Sequence, residues 1–319
     1  MAGNFVQLHN HTHYSLLDGA SKVPDLVKRV KELGMPAVGI TDHGNMHGAY
    51  ELWRAAVDSG VKPIIGIEAY VTPETARQDK TRVSWDTNWT PVPGHARNPD
   101  DVSGGGLITH LTMWAENDEG LVNLIKASSV ANLEGRVMRY PRMDKEVLST
   151  YSKGVIASSG CPSGIIQTRL RLGQFDEALR AAGEFQDIFG KDNFYIELMD
   201  HGLSIESKVT GDLLTIAKKL GAPLLATNDS HYVMEADKDA QDAMLCINSG
   251  ATLDDPNRFK FEGSGYYIKS AEEMRELFKD HPDACDNTLE IAERCNVIFD
   301  DHEDGAFMPQ FDCPEGWDE

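Results

Sequence analysis

The sequence predicts an α/β protein folded as a (β/α) barrel, carrying a long loop insertion and a small helical C-terminal extension. Three observations carry that prediction. Short apolar runs rich in β-branched residues alternate with amphipathic stretches bounded by helix start and stop signals. Seven such runs fall within about the first 250 residues, the usual length of a (β/α) barrel. Polar residues gather just after successive runs, on the strand ends where barrels of this kind build their sites. An open doubly wound sheet is the alternative, because it also needs strands separated by right-handed crossovers.

Taken in order, strands are expected at 5–9, 37–41, 64–71, 107–113, 154–157, 194–198 and 224–227, with helices at 23–33, 49–58, 121–131, 176–189, 205–220 and 236–248. The first helix is the clearest. Val23, Leu26, Val27, Val30 and Leu33 recur at helical spacing, and Gly34 stands where a C-terminal cap belongs. Strands joined through helices imply a parallel sheet, and the barrel is assigned to residues 1–250. Within it, 72–106 breaks the alternation with Pro73, Pro91, Pro93, Pro99 and three consecutive glycines from Gly104. It is expected to be a long loop at the barrel mouth, with a hairpin around 83–89. Residues 251–319 form the extension, with acidic helices at 271–279 and 284–295 and an irregular tail through Pro309 and Pro314.

Composition narrows the function classes. With 319 residues, 41% hydrophobic and 25% charged, the chain can fill a core, and its composition excludes a disordered chain or a coiled coil. Thirty Lys and Arg against 51 Asp and Glu give a formal net charge of −21. A broad basic surface for nucleic acid is thereby excluded, and a polyanionic substrate would need bound cations. Five cysteines, Cys161, Cys246, Cys285, Cys295 and Cys313, form an odd set without a Cys-x-x-Cys pair, which points to a reducing compartment. The first eight residues lack signal-peptide character and no apolar run reaches membrane-span length, so a cytoplasmic protein without a membrane partner is expected.

Nine potential metal ligands follow or occupy the predicted strands. His9 and His11 end the first, with Asp18 shortly after, and His43 follows the second in Gly-Ile-Thr-Asp-His-Gly. Glu68 lies in the third strand, His110 in the fourth, Cys161 after the fifth, and Asp229 and His231 after the seventh. Imidazoles, carboxylates and a thiolate are the donor set of Zn²⁺ and, with more oxygen, of Mn²⁺ or Fe²⁺. His9 and His11, like Asp229 and His231, are two residues apart and project to one face of an extended chain. Each piece alone has an ordinary reading as a surface pair, a turn or an inert buried thiol. Glu68 does not, because a carboxylate inside an apolar strand calls for a cation or a hydrogen-bonding partner. The joint pattern on one rim argues for metal chemistry. His13, His47, His95, His201, His281 and His302 are read as structural, with His201 close enough to strand six to reach the rim. Trp85 and Trp89 are expected to pack the insertion onto the barrel, with stacking on a base as the other option.

These residues resemble a known family. LHNHTHYSLLDGA, GITDHGNM, IGIEAY, THLTMWA, GCPSG and ATNDSHY are similar to the PHP (polymerase and histidinol phosphatase) family, and more closely to the PHP domain of bacterial C-family DNA polymerase III alpha subunits of actinobacterial type. The likeness continues through QTRLRLG, FYIELMDHG and DPNRFKFEGSGYYIKSAEEM. The resemblance implies a distorted seven-stranded (β/α) barrel with three divalent ions, Zn²⁺, Mn²⁺ or Fe²⁺. It implies one ion on His9, His11, Glu68 and Asp229, a second on His110 and Cys161 with Glu68 as the bridge, and a third on Asp18, His43 and His231.

All nine positions hold a competent ligand, so the resemblance implies an active phosphoesterase, with Asp229, His231 and Glu68 at the centre of the reaction and no separate protein base. Arg169 and Arg171 are candidates for clamping substrate phosphate, beside their ordinary reading as solvated helix charges. The expected activity is a 3′ to 5′ exonuclease that proofreads mismatched or single-stranded DNA ends during replication, with the polymerase body, a sliding clamp and other replisome subunits as partners. A histidinol-phosphatase-like phosphomonoesterase and a metal-stabilised structural platform are the alternatives. No cluster of polymerase palm aspartates is evident, so this chain by itself is not expected to polymerise DNA.

Overall fold

The computed structural model describes residues 5–92 and 97–300. Its strands are β1 (Ala37–Ile40), β2 (Lys62–Val71), β3 (Thr109–Ala115), β4 (Arg142–Met143), β5 (Val155–Ser158), β6 (Phe194–Leu198) and β7 (Leu224–Ala226). They curl in the order β1-β2-β3-β5-β6-β7, with the short β4 beside β2. The helices are α1 (Val23–Glu32), α2 (Ala49–Ser59), the single turn α3 (Ser103–Gly106), α4 (Asp118–Glu134), α5 (Lys145–Thr150), α6 (Ile165–Arg171), α7 (Phe175–Phe189), α8 (Ser204–Leu220), α9 (Lys238–Ser249), α10 (Ala271–Leu277) and α11 (Pro282–Arg294).

The segment expected as the first strand forms a seam instead of a regular ladder. Gly39 N–H donates to Gln7 O (2.8 Å) and Thr41 N–H to Asn10 O (3.0 Å) on one side, while His11 N–H donates to Ser230 O (2.8 Å) on the other. It thus joins β1 to the chain leaving β7 and closes the curl into a distorted barrel. Strand β3 corrects the all-parallel expectation, since it runs antiparallel to both β2 and β5. The physical reason is the insertion. It begins and ends at the barrel mouth, so the strand that follows it must descend, and no crossover helix is required.

Alternation along the strands sorts two apolar layers. Ile65, Ile67 and Ala69 on β2 face the helices, whereas Ile64 faces inward with Trp114, Ile156, Tyr195 and Leu225. Gly66 makes room for Trp114, because a Cβ there would lie 2.7 Å from the indole Cδ1 and 2.4 Å from Met113 O. The Trp114 indole N–H then ties the wall to the seam by donating to Leu8 O (3.0 Å). Ile291 and Ala292 of α11, with Cys295 just past its end, join this inner layer. The described part of 251–319 is therefore continuous with the barrel core, and its last residues, 301–319, lie outside the described residues.

The insertion is held by buried arginines. Arg142 on β4, fully buried, donates to Gly135 O, Leu107 O, Arg77 O and Asp79 O. No hairpin forms at 83–89. The Asp101 carboxylate organises this stretch instead, accepting from the Ser84 hydroxyl and from the backbone N–H of Trp85 and Asp86. Side-chain capture of those N–H groups leaves them unavailable to a ladder.

Candidate metal centre

The nine expected ligands meet at the barrel mouth, brought there by six separate chain segments. His110 is the instructive one. It sits at the beginning of β3, not at its end, and reaches the rim because β3 is antiparallel. The next inward position, Thr112, lies opposite Glu68 on β2.

The deepest group is His9, His11, Glu68 and Asp229. His9 Nε2 lies 3.6 Å from Glu68 Oε2 and 3.3 Å from Asp229 Oδ1, and His11 Nε2 lies 3.2 and 3.0 Å from the same two atoms. These are the four residues expected to share the first ion. Glu68 faces the second set through its other oxygen, 3.0 Å from His110 Nδ1, with Cys161 Sγ 3.3 Å from that nitrogen. In the third set Asp18 Oδ2 lies 2.9 Å from His43 Nε2 and 3.6 Å from His231 Nε2. His43 spans two sets, as its Nδ1 is also 2.8 Å from Glu68 Oε2.

The donor atoms fit divalent ions by a direct test. His9 Nε2, His11 Nε2, His43 Nδ1, His231 Nε2, Glu68 Oε2 and Asp229 Oδ1 are all buried and lack a hydrogen-bond partner. Buried polar atoms are normally satisfied, and an orphan of this kind calls for an explanation. Six orphans at one mouth, in overlapping groups with the residue types and spacing of metal ligands, form a cradle for cations.

Electrostatics agree. Burial alone would neutralise Glu68, yet His110, His43, His9 and His11 hold its carboxyl well below the usual range. Burial likewise opposes charge on His9, but Asp229, Glu197 and Glu68 more than offset it and hold the imidazole well above its ordinary value. The Cys161 thiol is pushed well up by burial and by the Glu68 and Asp229 carboxylates. Without cations the cluster is thus held together by protons on nitrogen and sulfur, the sites an ion would take.

Several supporting residues carry no ligand role and were not singled out in the sequence. Glu197 on β6 accepts from His9 Nδ1 (2.7 Å) and is itself held by the hydroxyls of Ser158 and Thr227. Ser15 sits 3.0 Å from His11 Nδ1, and Asp42 accepts from Thr12 N–H (2.7 Å) and the Ser15 hydroxyl (2.6 Å). Bonds of this kind fix which nitrogen points at the metal. Glu197 was detectable, because it is a carboxylate within the apolar strand Phe-Tyr-Ile-Glu-Leu, the same signal that identified Glu68.

Asp229 has a left-handed backbone, φ 45°, a strained conformation for a residue with a side chain. Its neighbours hold it there. The Asn228 side-chain amide donates to Gly265 O (2.9 Å) and Tyr267 O (2.8 Å), while His231 N–H donates to Tyr266 O (2.8 Å). His201 reaches the rim as a brace, bonding Glu206 and, through Nε2, Asn228 O (2.9 Å). His95 and His302 lie outside the described residues.

Arg169 and Arg171 are placed differently from either expectation. Both are buried. Arg169 stacks on Trp85 at 3.8 Å and pairs with Glu74 and Gln174. Arg171 bonds Pro162 O, Thr168 and Asp100 O. Their guanidiniums fasten the insertion to α6, and Trp85 packs beneath one of them.

Comparison with known proteins matches the PHP domain family over residues 7–201. The DNA polymerase III subunit alpha of Mycobacterium leprae is 52% identical over 317 residues, covering 99% of this chain and 26% of that one. The same subunit of Saccharopolyspora erythraea is 55% identical over 297 residues, covering 93% of this chain and 25% of that one. The chain thus spans about a quarter of the length of these relatives. A two-domain protein of Bacteroides vulgatus, titled as containing a PHP-like metal-dependent phosphoesterase, aligns with TM-score 0.39 and 12% identity over 92% of this chain and 69% of that one. Among the described residues no helix is long and apolar enough to cross a membrane. With a family match across more than half its length and relatives more than half identical over nearly all of it, the chain belongs to the PHP domain family.

Proposed function

We propose that the chain is a metal-dependent phosphodiesterase that removes nucleotides from the 3′ end of DNA, acting as a proofreading exonuclease beside a polymerase. The observation that supports the reading is the meeting of nine candidate ligands at one mouth, six of them with a buried donor atom that no hydrogen bond uses. The names of the high-identity relatives supply the DNA context.

Three divalent ions are proposed, held as the three sets above, and when bound they polarise phosphate oxygens and lower the pKa of water. The protein's own part is orientation and exclusion of solvent. Glu197 and Ser15 set the two histidines of the deepest set, both closed to water, while Asp18, His43, His110 and Asp229 remain 12–19% exposed and mark the side from which a phosphate enters. Glu68, Asp229 and His231 are proposed as the residues nearest the reacting phosphate. The soft Cys161 favours zinc at its position, and the carboxylate-rich sets favour manganese.

The test is a time course on a 5′-labelled primer with a mismatched 3′ nucleotide, with Mn²⁺ or Zn²⁺, beside Asp229→Asn. Stepwise shortening from the 3′ end in the wild type alone supports the reading. Equal shortening by the variant overturns it. Metal-loaded protein that leaves DNA intact favours the structural platform.

A further inference from the structure

We propose that residues 258–261, Arg-Phe-Lys-Phe, form with the facing insertion a subsite for single-stranded DNA, in which a base stacks on Phe259 and the backbone phosphates meet Lys260 and Arg97. The inference deepens the proposed function and takes from it only the identity of the strand. Alternating basic and aromatic side chains suit a single strand, because every base has a face to stack and every nucleotide a phosphate to neutralise. On a chain with a net charge of −21, this short basic-aromatic run stands out.

The geometry places Phe259 at a cleft beside the centre and leaves Lys260 exposed next to it. Arg258 is not available to a ligand, because its guanidinium grips both oxygens of Asp242 and anchors the loop. Phe259 is 62% exposed. Its ring meets Phe261 edge-on at 5.9 Å, and Phe261 in turn meets the His231 imidazole at 4.6 Å. Phe259 is therefore two ring contacts from a metal-ligand candidate. A lone exposed phenylalanine is ordinary, but this one borders a cleft of about 430 Å³ that Arg97, Asn98, Ser103, Ser163 and Arg171 also line. Ser163 and Pro162 there follow Cys161 directly in sequence, so cleft and centre share a loop. The volume falls in the range of small-ligand sites, enough for a nucleotide. Arg97 is exposed, and its Nη1 donates to Val83 O (3.1 Å), which holds the guanidinium at the cleft.

Binding is measured apart from cleavage, by titrating this chain in Ca²⁺ into an oligodeoxynucleotide bearing 2-aminopurine near its 3′ end. The wild type is expected to bind and quench the fluorophore. Phe259→Ala should weaken binding by roughly 5- to 100-fold, Phe259→Trp should restore it, and an abasic site should remove the difference between wild type and Phe259→Ala. Unchanged binding in Phe259→Ala, or no binding by the wild type, overturns the subsite. A wild type that quenches yet never shortens DNA would sink the exonuclease reading and leave the subsite standing. Shortening with unchanged Phe259→Ala binding would do the reverse.

Discussion

Two regions of this barrel bury charged side chains, and they do so in opposite ways. Around the insertion, Arg142 meets four backbone carbonyls, and the buried Arg169 meets Glu74 and Gln174. At the mouth, Glu68 and the histidines face each other with lone pairs that no hydrogen bond uses. Both clusters tolerate burial because charge is compensated. In the first the compensation is internal and the product is rigidity; in the second it is left to protons that ions can replace. The distinction lies in orphaned acceptors more than in the number of charges, since buried charged groups without partners are costly.

Breaking the mouth should give the largest effect. Glu68→Gln removes the carboxylate shared by the sets, and activity is expected to fall by more than about 100-fold, beyond the loss typical of an outer residue. A steady-state assay on an oligonucleotide checks this. Arg142→Met should act on stability instead. Orphaning four carbonyls is expected to cost about 3 kcal/mol in denaturant unfolding, with the ion count of the folded fraction unchanged. If metal content falls in step, the two regions are not independent.

Glu197→Gln tests the layer behind the ligands. His9 keeps its place but loses its charged acceptor for a neutral amide, and ion affinity should drop by about 10- to 100-fold with little change in fold. The pH dependence separates the regions more gently. Burial opposes charging His9 and His43, but Tyr70 at His43 and the facing carboxylates at both prevail and hold them well above the ordinary imidazole value, so ions must displace protons. Ion affinity is therefore expected to rise with pH and fall as pH drops, with proton release visible by calorimetry in buffers of different ionisation enthalpy. Equal affinity at pH 6 and pH 8 would contradict this. The smallest effect is expected from Arg169→Lys, which loses planar stacking on Trp85 at a cost of about 1 kcal/mol.

What was legible in the sequence follows from what local chemistry encodes. Glu68 announced itself as a carboxylate in an apolar strand, and α1 through its spacing and Gly34. The direction of β3 was not legible, because residue alternation is the same whichever way a strand runs, and the rim position of His110 was reached despite that. The 5–9 run reads as a strand but pairs only through bridges on either side, a tertiary matter. Arg142 spends its donors on carbonyls of residues 7 to 65 positions away, which no local pattern records. Arg169 and Arg171 look like solvated charges on a helix until the insertion folds over them.

The most direct test of the metal-centre account is to count ions by native mass spectrometry on this chain after loading with Mn²⁺ or Zn²⁺, alongside Glu68→Gln. The account predicts three ions per wild-type molecule and fewer in the variant. A wild type that takes up none, or a variant that binds as many, would contradict it.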